Sequence, residues 1–175
     1  MLISERAYLA ILGLLIVERI LELTISTRNA RRAFARGAIE YGQRHFPAMV
    51  AMHTLFIASC AIESLFVVRA ISPIISTLAL VAALIAQILR YAAVIALGER
   101  WNTRIIVTPG APLVTRGPYR WMRHPNYLAV VIEIAAVPLI RGCWMTALTF
   151  SIANALMLSI RIPAEERALE SLPMR

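Results

Sequence analysis

Apolar runs of nearly membrane-spanning length dominate this chain and leave few folds open to it. Five of them, near 7–25, 47–68, 73–98, 126–140 and 143–160, approach the roughly 20 apolar residues that cross a bilayer as a helix. Inside a bilayer the backbone must satisfy its own hydrogen bonds, so such runs become helices. With 59% hydrophobic and 16% charged residues, the 175-residue chain has too little polar surface to enclose these runs in a soluble core. The sequence therefore predicts an all-α integral membrane protein of about five transmembrane helices, forming a single domain over 1–175. The last two runs are separated only by Arg141-Gly142 and read as a hairpin. A 15-residue run such as 126–140 rises about 22 Å as a helix, shorter than a full hydrocarbon core.

All eighteen basic residues are arginines and all ten acidic residues are glutamates, for a net charge of +8. Their distribution speaks for topology rather than for a nucleic-acid partner. Arg28, Arg31, Arg32, Arg36 and Arg44 follow the first run; Arg100, Arg104, Arg116, Arg120 and Arg123 follow the third; Arg161, Arg167 and Arg175 follow the fifth. Only Arg6, Arg69 and Arg141 fall at the other ends. By the positive-inside rule the N-terminus lies outside and the C-terminus in the cytoplasm, with anionic lipid attracted to the arginine-rich side. Glu18, Arg19 and Glu22 interrupt the first run and no small-residue cleavage site follows, so no cleavable signal peptide is expected. Cys60 and Cys143, in apolar surroundings without metal-ligand spacing, read as buried free thiols.

Several polar residues lie within the apolar runs. Helix rise puts His53 about 9 Å and Glu133 about 10 Å in from the cytoplasmic end. Gln87 and Arg90, three apart, share one face of the third run, and Glu18 and Glu22, four apart, share a face of the first. Such groups are expensive against lipid, so they point inward. They make either a structural network, with Arg90 neutralising a glutamate, or a polar cavity open toward the cytoplasm. Glu63 lies near the outer end, away from that cavity.

The stretch Thr115–Tyr127 packs three arginines, a histidine, two prolines and three aromatics in front of the fourth run. A stiff polar loop at a membrane surface suggests a bound, nucleotide-like cofactor. Trp101–Val107 reads as an extended segment, Pro109-Gly110 as a turn, and Gly117-Pro118 as a bend where backbone can approach a ligand closely. Tyr119 and Trp121 are either ligand contacts or interface anchors. Pro125 suits the first turn of the fourth helix, leaving the N–H groups of Asn126 and Tyr127 free for a carboxylate or other anion. His124 has no carboxylate or thiolate at ligand spacing, so no metal is expected and a neutral imidazole contacting a ligand fits better. In the tail, Arg161 and Glu165 become i,i+4 neighbours if a short C-terminal helix follows the fifth run, with Pro163 bending its start.

Gly117-Pro-Tyr119 followed by Arg123-His-Pro-Asn-Tyr127, an apolar hairpin, Arg161 and Glu165-Glu166 resembles the isoprenylcysteine carboxyl methyltransferase family over roughly 98–170. Glu18-Arg-Ile-Leu-Glu22, Ser26-Thr-Arg-Asn29, Gly37-Ala-Ile-Glu40 and His45 through His53 are similar to its small bacterial branch that O-methylates alkylpyrones. The resemblance implies an integral enzyme of the bacterial inner membrane that uses S-adenosylmethionine. It implies a cofactor pocket lined by Leu113, Val114, Tyr119, His124, Pro125, Asn126, Tyr127 and Glu165. It also implies Arg161 facing the methyl acceptor, with Arg161 and Glu165 as the catalytic pair. His53 and Glu133 join Arg161 as candidate acceptor-binding groups. Eukaryotic members place a glutamine before the Leu-Val stretch; here the neighbourhood is Val107-Thr108. The tail after Glu166 is shorter than usual in the family.

The chemistry of the residues agrees. No G-x-G-x-x-G occurs, which speaks against a soluble dinucleotide-type methyltransferase. Methyl transfer from a sulfonium needs no metal; it needs an acceptor atom held in line at about 3–3.5 Å. The expected acceptor is lipophilic, an alkylpyrone or alkylresorcinol hydroxyl. A prenylcysteine carboxylate and a phospholipid amine are the alternatives, and a small transporter or assembly factor is the rival without catalysis.

Overall fold

A computed structural model describes residues 3–67 and 70–170; Arg69 and Arg175, used above for topology, lie outside them. Five helices form the bundle: α1 (Glu5–Ala35), α2 (Phe46–Phe66), α3 (Pro73–Leu97), α4 (Pro125–Leu139) and α5 (Trp144–Glu170). Each expected apolar run is matched by one helix, and local chemistry sets the ends. Ser4 caps α1 by accepting from the Ala7 N–H at 3.2 Å. Pro73 and Pro125 open α3 and α4 where a missing N–H is harmless. The α4–α5 connection is a tight turn through Gly142, whose φ of 75° suits glycine.

Two helices outrun their apolar segments. α1 continues to Ala35 because its polar half docks on the α3–α4 loop, as described below. α5 runs through Pro163 to Glu170, so the acidic tail is the last part of α5 and not a separate short helix.

α4 is sandwiched between α3 and α5. The buried face of α3 is Ser76, Ala79, Ala83, Ala86, Arg90, Ala93 and Ala96, a small-residue stripe with one arginine in it. Small side chains let helix backbones approach closely where apolar association gains little from water. Ser76 donates to the Ile140 carbonyl at 2.7 Å, satisfying an acceptor at the end of α4. The outward faces carry Leu14, Leu78, Ile88, Ile95, Leu148 and Leu156, each more than 60% exposed, as a lipid-facing surface requires. By length and composition α2, α3 and α5 are long and apolar enough to cross a membrane among the described residues, and α4 is a shorter apolar helix. α1 is long enough, but Glu18, Arg19 and Glu22 sit in its middle and face the bundle.

The two ends of the bundle differ. At one end Glu63 of α2 accepts from the Met145 N–H (3.1 Å), the Thr146 N–H (2.7 Å) and the Thr146 hydroxyl (2.6 Å), covering the exposed N–H groups of α5. Arg141 meets the Ile3 carbonyl and Glu5 there, and Cys60 and Cys143 are buried free thiols. At the other end the arginine-rich segments converge. A two-stranded antiparallel ladder pairs β1 (Ile39–Tyr41) with β2 (Ile105–Val107), and Ala168 of α5 packs on Ile105 and Val107. The segment after α1, the loop after α3 and the end of α5 therefore form one polar cap.

Candidate functional site

The cap is built outward from α1. Asn29 donates to the carbonyls of Gly98 (3.2 Å) and Trp101 (2.8 Å), and Ser26 bonds the side chains of Asn102 and Thr103. Arg32 and Arg36 grip Glu99 at 2.8 and 3.1 Å. These contacts fix the Thr103 backbone, whose carbonyl accepts from Arg161 Nη2 at 2.9 Å. Arg161 is thereby held in place, 4% exposed, with its guanidinium carbon 6.0 Å from the Tyr127 ring centre.

Loop and tail meet directly. The Tyr127 hydroxyl donates to Glu165 at 2.5 Å. His124 stacks on Tyr127, with ring centres 5.4 Å apart, and its Nε2 lies 3.4 Å from Glu166. Arg123 reaches the same carboxylate at 3.9 Å but is 88% exposed, so this pair is weak. Burial, and then the charge of Glu165, holds the Tyr119 hydroxyl above its usual range, so it stays a proton donor. The i,i+4 pair of Arg161 and Glu165 does not form among the described residues; each turns to the loop instead.

These groups open onto one cavity of about 670 Å³. Its polar mouth carries Tyr119, Arg123, His124, Asn126, Tyr127, Arg161 and Glu165. Deeper it passes Asn154, His53, Arg19, Glu22 and Arg90, and it widens between α1 and α2 along Gly13, Ile16, Ile20, Val50, Thr54 and Ile57. The far part is apolar, and it lies between two helices whose outward faces meet lipid.

The sequence-derived site residues divide into three sets. Tyr119, His124, Asn126, Tyr127, Arg161, Glu165 and His53 line this cavity. Leu113 and Val114 instead line a separate depression of about 350 Å³ with Leu97, Arg100, Thr115 and Arg116. Pro125 is fully buried as the first residue of α4. Glu133 is buried behind the cavity wall, 2.6 Å from Arg90 and 3.8 Å from Arg19. Gln87 donates to Glu18 at 2.7 Å, Arg19 reaches Glu22 at 2.8 Å, and Arg90 lies 3.5 Å from Glu22. The in-membrane polar residues are thus both a paired network and part of the cavity wall. The bend at Gly117 serves packing as well: its φ is 58°, and an added Cβ would stand 3.0 Å from Ala96 of α3.

Arg19, Asn102, Thr103 and Asn154 line the cavity without having been singled out as site residues. Asn154 had the clearest signal, a lone amide in an apolar run. Thr103 had none, because it acts through its backbone carbonyl.

The mouth fits a sulfonium nucleoside such as S-adenosylmethionine. Asn126 Oδ1 is buried there with no protein partner, and Arg161 Nε likewise. Glu165 keeps acceptor capacity beyond its one bond to Tyr127, and Arg123, held only weakly by Glu166, can meet a carboxylate.

A sequence model of the isoprenylcysteine carboxyl methyltransferase family matches residues 77–171. An uncharacterized Bacillus subtilis (strain 168) protein, YpbQ, is 42% identical over 161 residues, covering 91% of this chain and 95% of its own. An uncharacterized Haemophilus influenzae protein is 28% identical over 155 residues, covering 88% of this chain and 90% of its own. The solved structure of a eukaryotic intramembrane Ras methyltransferase, an isoprenylcysteine carboxyl methyltransferase, shares the fold with a TM-score of 0.57 at 24% identity. That match covers 73% of this chain and 47% of the solved one, so the chain spans about half the length of that relative.

Proposed function

The chain belongs to the isoprenylcysteine carboxyl methyltransferase family and is an integral membrane methyltransferase, and on that premise we propose its cofactor, its acceptor and its orientation. It transfers a methyl group from S-adenosylmethionine to an oxygen of a lipophilic acceptor at the cytoplasmic face of a bacterial inner membrane. The acceptor is the hydroxyl of an alkylpyrone or alkylresorcinol. The observation that carries this reading is the single cavity joining a polar mouth to an apolar slot between α1 and α2. A water-borne cofactor and a bilayer-borne acceptor can reach the same space from two directions.

When bound, the cofactor supplies an electrophilic methyl group on a sulfonium. The residues of the chain do the rest. Glu165, fixed by Tyr127, and Asn126 hold its polar groups, while Tyr119 and His124 flank it. Arg161, fixed by Thr103, faces the acceptor, favours its ionised oxygen and orients it. The slot takes the alkyl tail and keeps water from the reacting atoms.

A buried guanidinium at the acceptor position suits a carboxylate equally well, so a prenylcysteine carboxylate is the second reading. Purified enzyme in lipid nanodiscs, given methyl-labelled cofactor and each acceptor class in turn, separates the two. Label in an alkylpyrone or alkylresorcinol ether supports the first reading; label only in a prenylcysteine ester replaces it with the second.

A further inference from the structure

One group on the cavity wall has the chemistry of a proton acceptor and no charged partner claiming it. His53 stands two turns into α2 and lines the cavity. Its Nδ1 lies 2.9 Å from the Met49 carbonyl, which can only accept, so Nδ1 carries the hydrogen. In the neutral ring the lone pair is then on Nε2, and no hydrogen bond among the described residues engages that nitrogen.

The carboxylates nearby are committed otherwise. Glu133 is bonded to Arg90 at 2.6 Å and does not reach the cavity wall. Glu22 does reach it, but is held by Arg19 at 2.8 Å and by Arg90 at 3.5 Å. Facing His53 are Arg19 and Glu22 from α1, Arg90 from α3 and Glu133 from α4, with Arg161 of α5 nearer the mouth. Counting Glu18 as well, three carboxylates meet two guanidinium groups in this network.

We propose that His53 is the general base for methylation of weakly acidic hydroxyls, and so sets how basic an acceptor oxygen this enzyme can use. The acceptor O–H proton passes to His53 Nε2 while the oxygen forms its bond to the methyl carbon. The C–S electron pair departs with the sulfur as a neutral thioether, and the imidazolium then releases its proton to water at the mouth. The inference rests on the hydroxyl-acceptor reading, because a carboxylate is already ionised and needs no base.

The test uses full-length enzyme in nanodiscs and the variant His53→Asn, whose amide can still donate to Met49. On an alkylresorcinol, whose phenolic pKa is near 10, the variant should lose about a hundredfold in kcat. On a prenylcysteine carboxylate analogue it should lose less than about threefold. Added imidazole should restore the resorcinol rate in His53→Gly. Without any turnover, the 15N resonance of His53 Nε2 in labelled enzyme should move when alkylresorcinol binds, because its O–H donates there, and should not move with the methyl ether product. Equal losses on both acceptors, or an Nε2 resonance that alkylresorcinol leaves unmoved, overturn the role of His53. An unsubstituted enzyme that methylates no hydroxyl overturns the acceptor reading first, and the base with it.

Discussion

Two clusters of charge occupy this bundle, and they differ in whether opposite charges meet. In the middle, Arg19, Arg90, Glu18, Glu22 and Glu133 pair as ions and are at most 18% exposed, although Glu18 Oε1, Glu22 Oε1, Arg19 Nε and Arg90 Nε lack hydrogen-bond partners. At the cap, Arg161 gives one N–H to a backbone carbonyl, Glu165 takes one phenol hydrogen, and Asn126 Oδ1 has no protein partner. Charges paired inside a membrane fix which helix faces meet; charges left half-paired beside a cavity are available to a ligand. The comparison therefore separates groups that hold the fold from groups that bind.

The largest effect should come from breaking the inner cluster. Arg90→Leu leaves Glu133 only the longer contact to Arg19 and should destabilise the bundle by about 3 kcal/mol. The double variant Arg90→Leu/Glu133→Leu should recover more than half of that loss, as read by unfolding in detergent. A double variant no better than the single one would show that the pair is not the dominant contact.

At the cap the expectation reverses. Glu165→Gln should weaken S-adenosylhomocysteine binding about thirtyfold, or about 2 kcal/mol, with little change in unfolding temperature. Tyr127→Phe removes the hydroxyl that positions Glu165 and should cost about tenfold in the same calorimetric titration. If either variant unfolds early but binds normally, the two clusters have been assigned the wrong way round.

Glu63 offers a control at the far end. It is a buried carboxylate like those of the inner cluster, yet lines neither cavity described above and serves the N-terminus of α5. Glu63→Gln should lower stability by about 1.5 kcal/mol and leave cofactor affinity unchanged. A change in affinity would mean that α5 transmits strain along its length to Glu165.

What the sequence made legible follows from the range of each interaction. Apolar runs report helices because hydropathy is local, and the starts of α3 and α4 were visible in their prolines. The meeting of loop and tail was readable only through the motif that joins Tyr127 to Glu165. The β1–β2 ladder was not readable: two three-residue strands from distant segments carry no periodicity of their own. The extension of α1 was missed for a related reason, since Ser26 and Asn29 make a polar helix face worthwhile only once the α3–α4 loop is present. The cap on α5 supplied by Glu63 likewise joins residues more than eighty positions apart.

The smallest predicted effect sharpens the boundary of the binding cluster. Leu113 and Val114 belong to the expected cofactor pocket by family resemblance, yet they border a neighbouring depression beside Leu97, a residue both spaces share. Leu113 is 67% exposed, which is costly for a leucine with nothing to cover it. If the loop stays in place when cofactor binds, Leu113→Ala should change S-adenosylhomocysteine affinity by less than about twofold, as surface substitutions do. A tenfold loss would instead mean that the segment after Pro109-Gly110 folds over the mouth on binding. The same titration on Trp121→Ala supplies the reference, because Trp121 is 78% exposed and lines neither space. Only a loss confined to Leu113 would extend the half-paired cluster to this loop and make the depression part of the site.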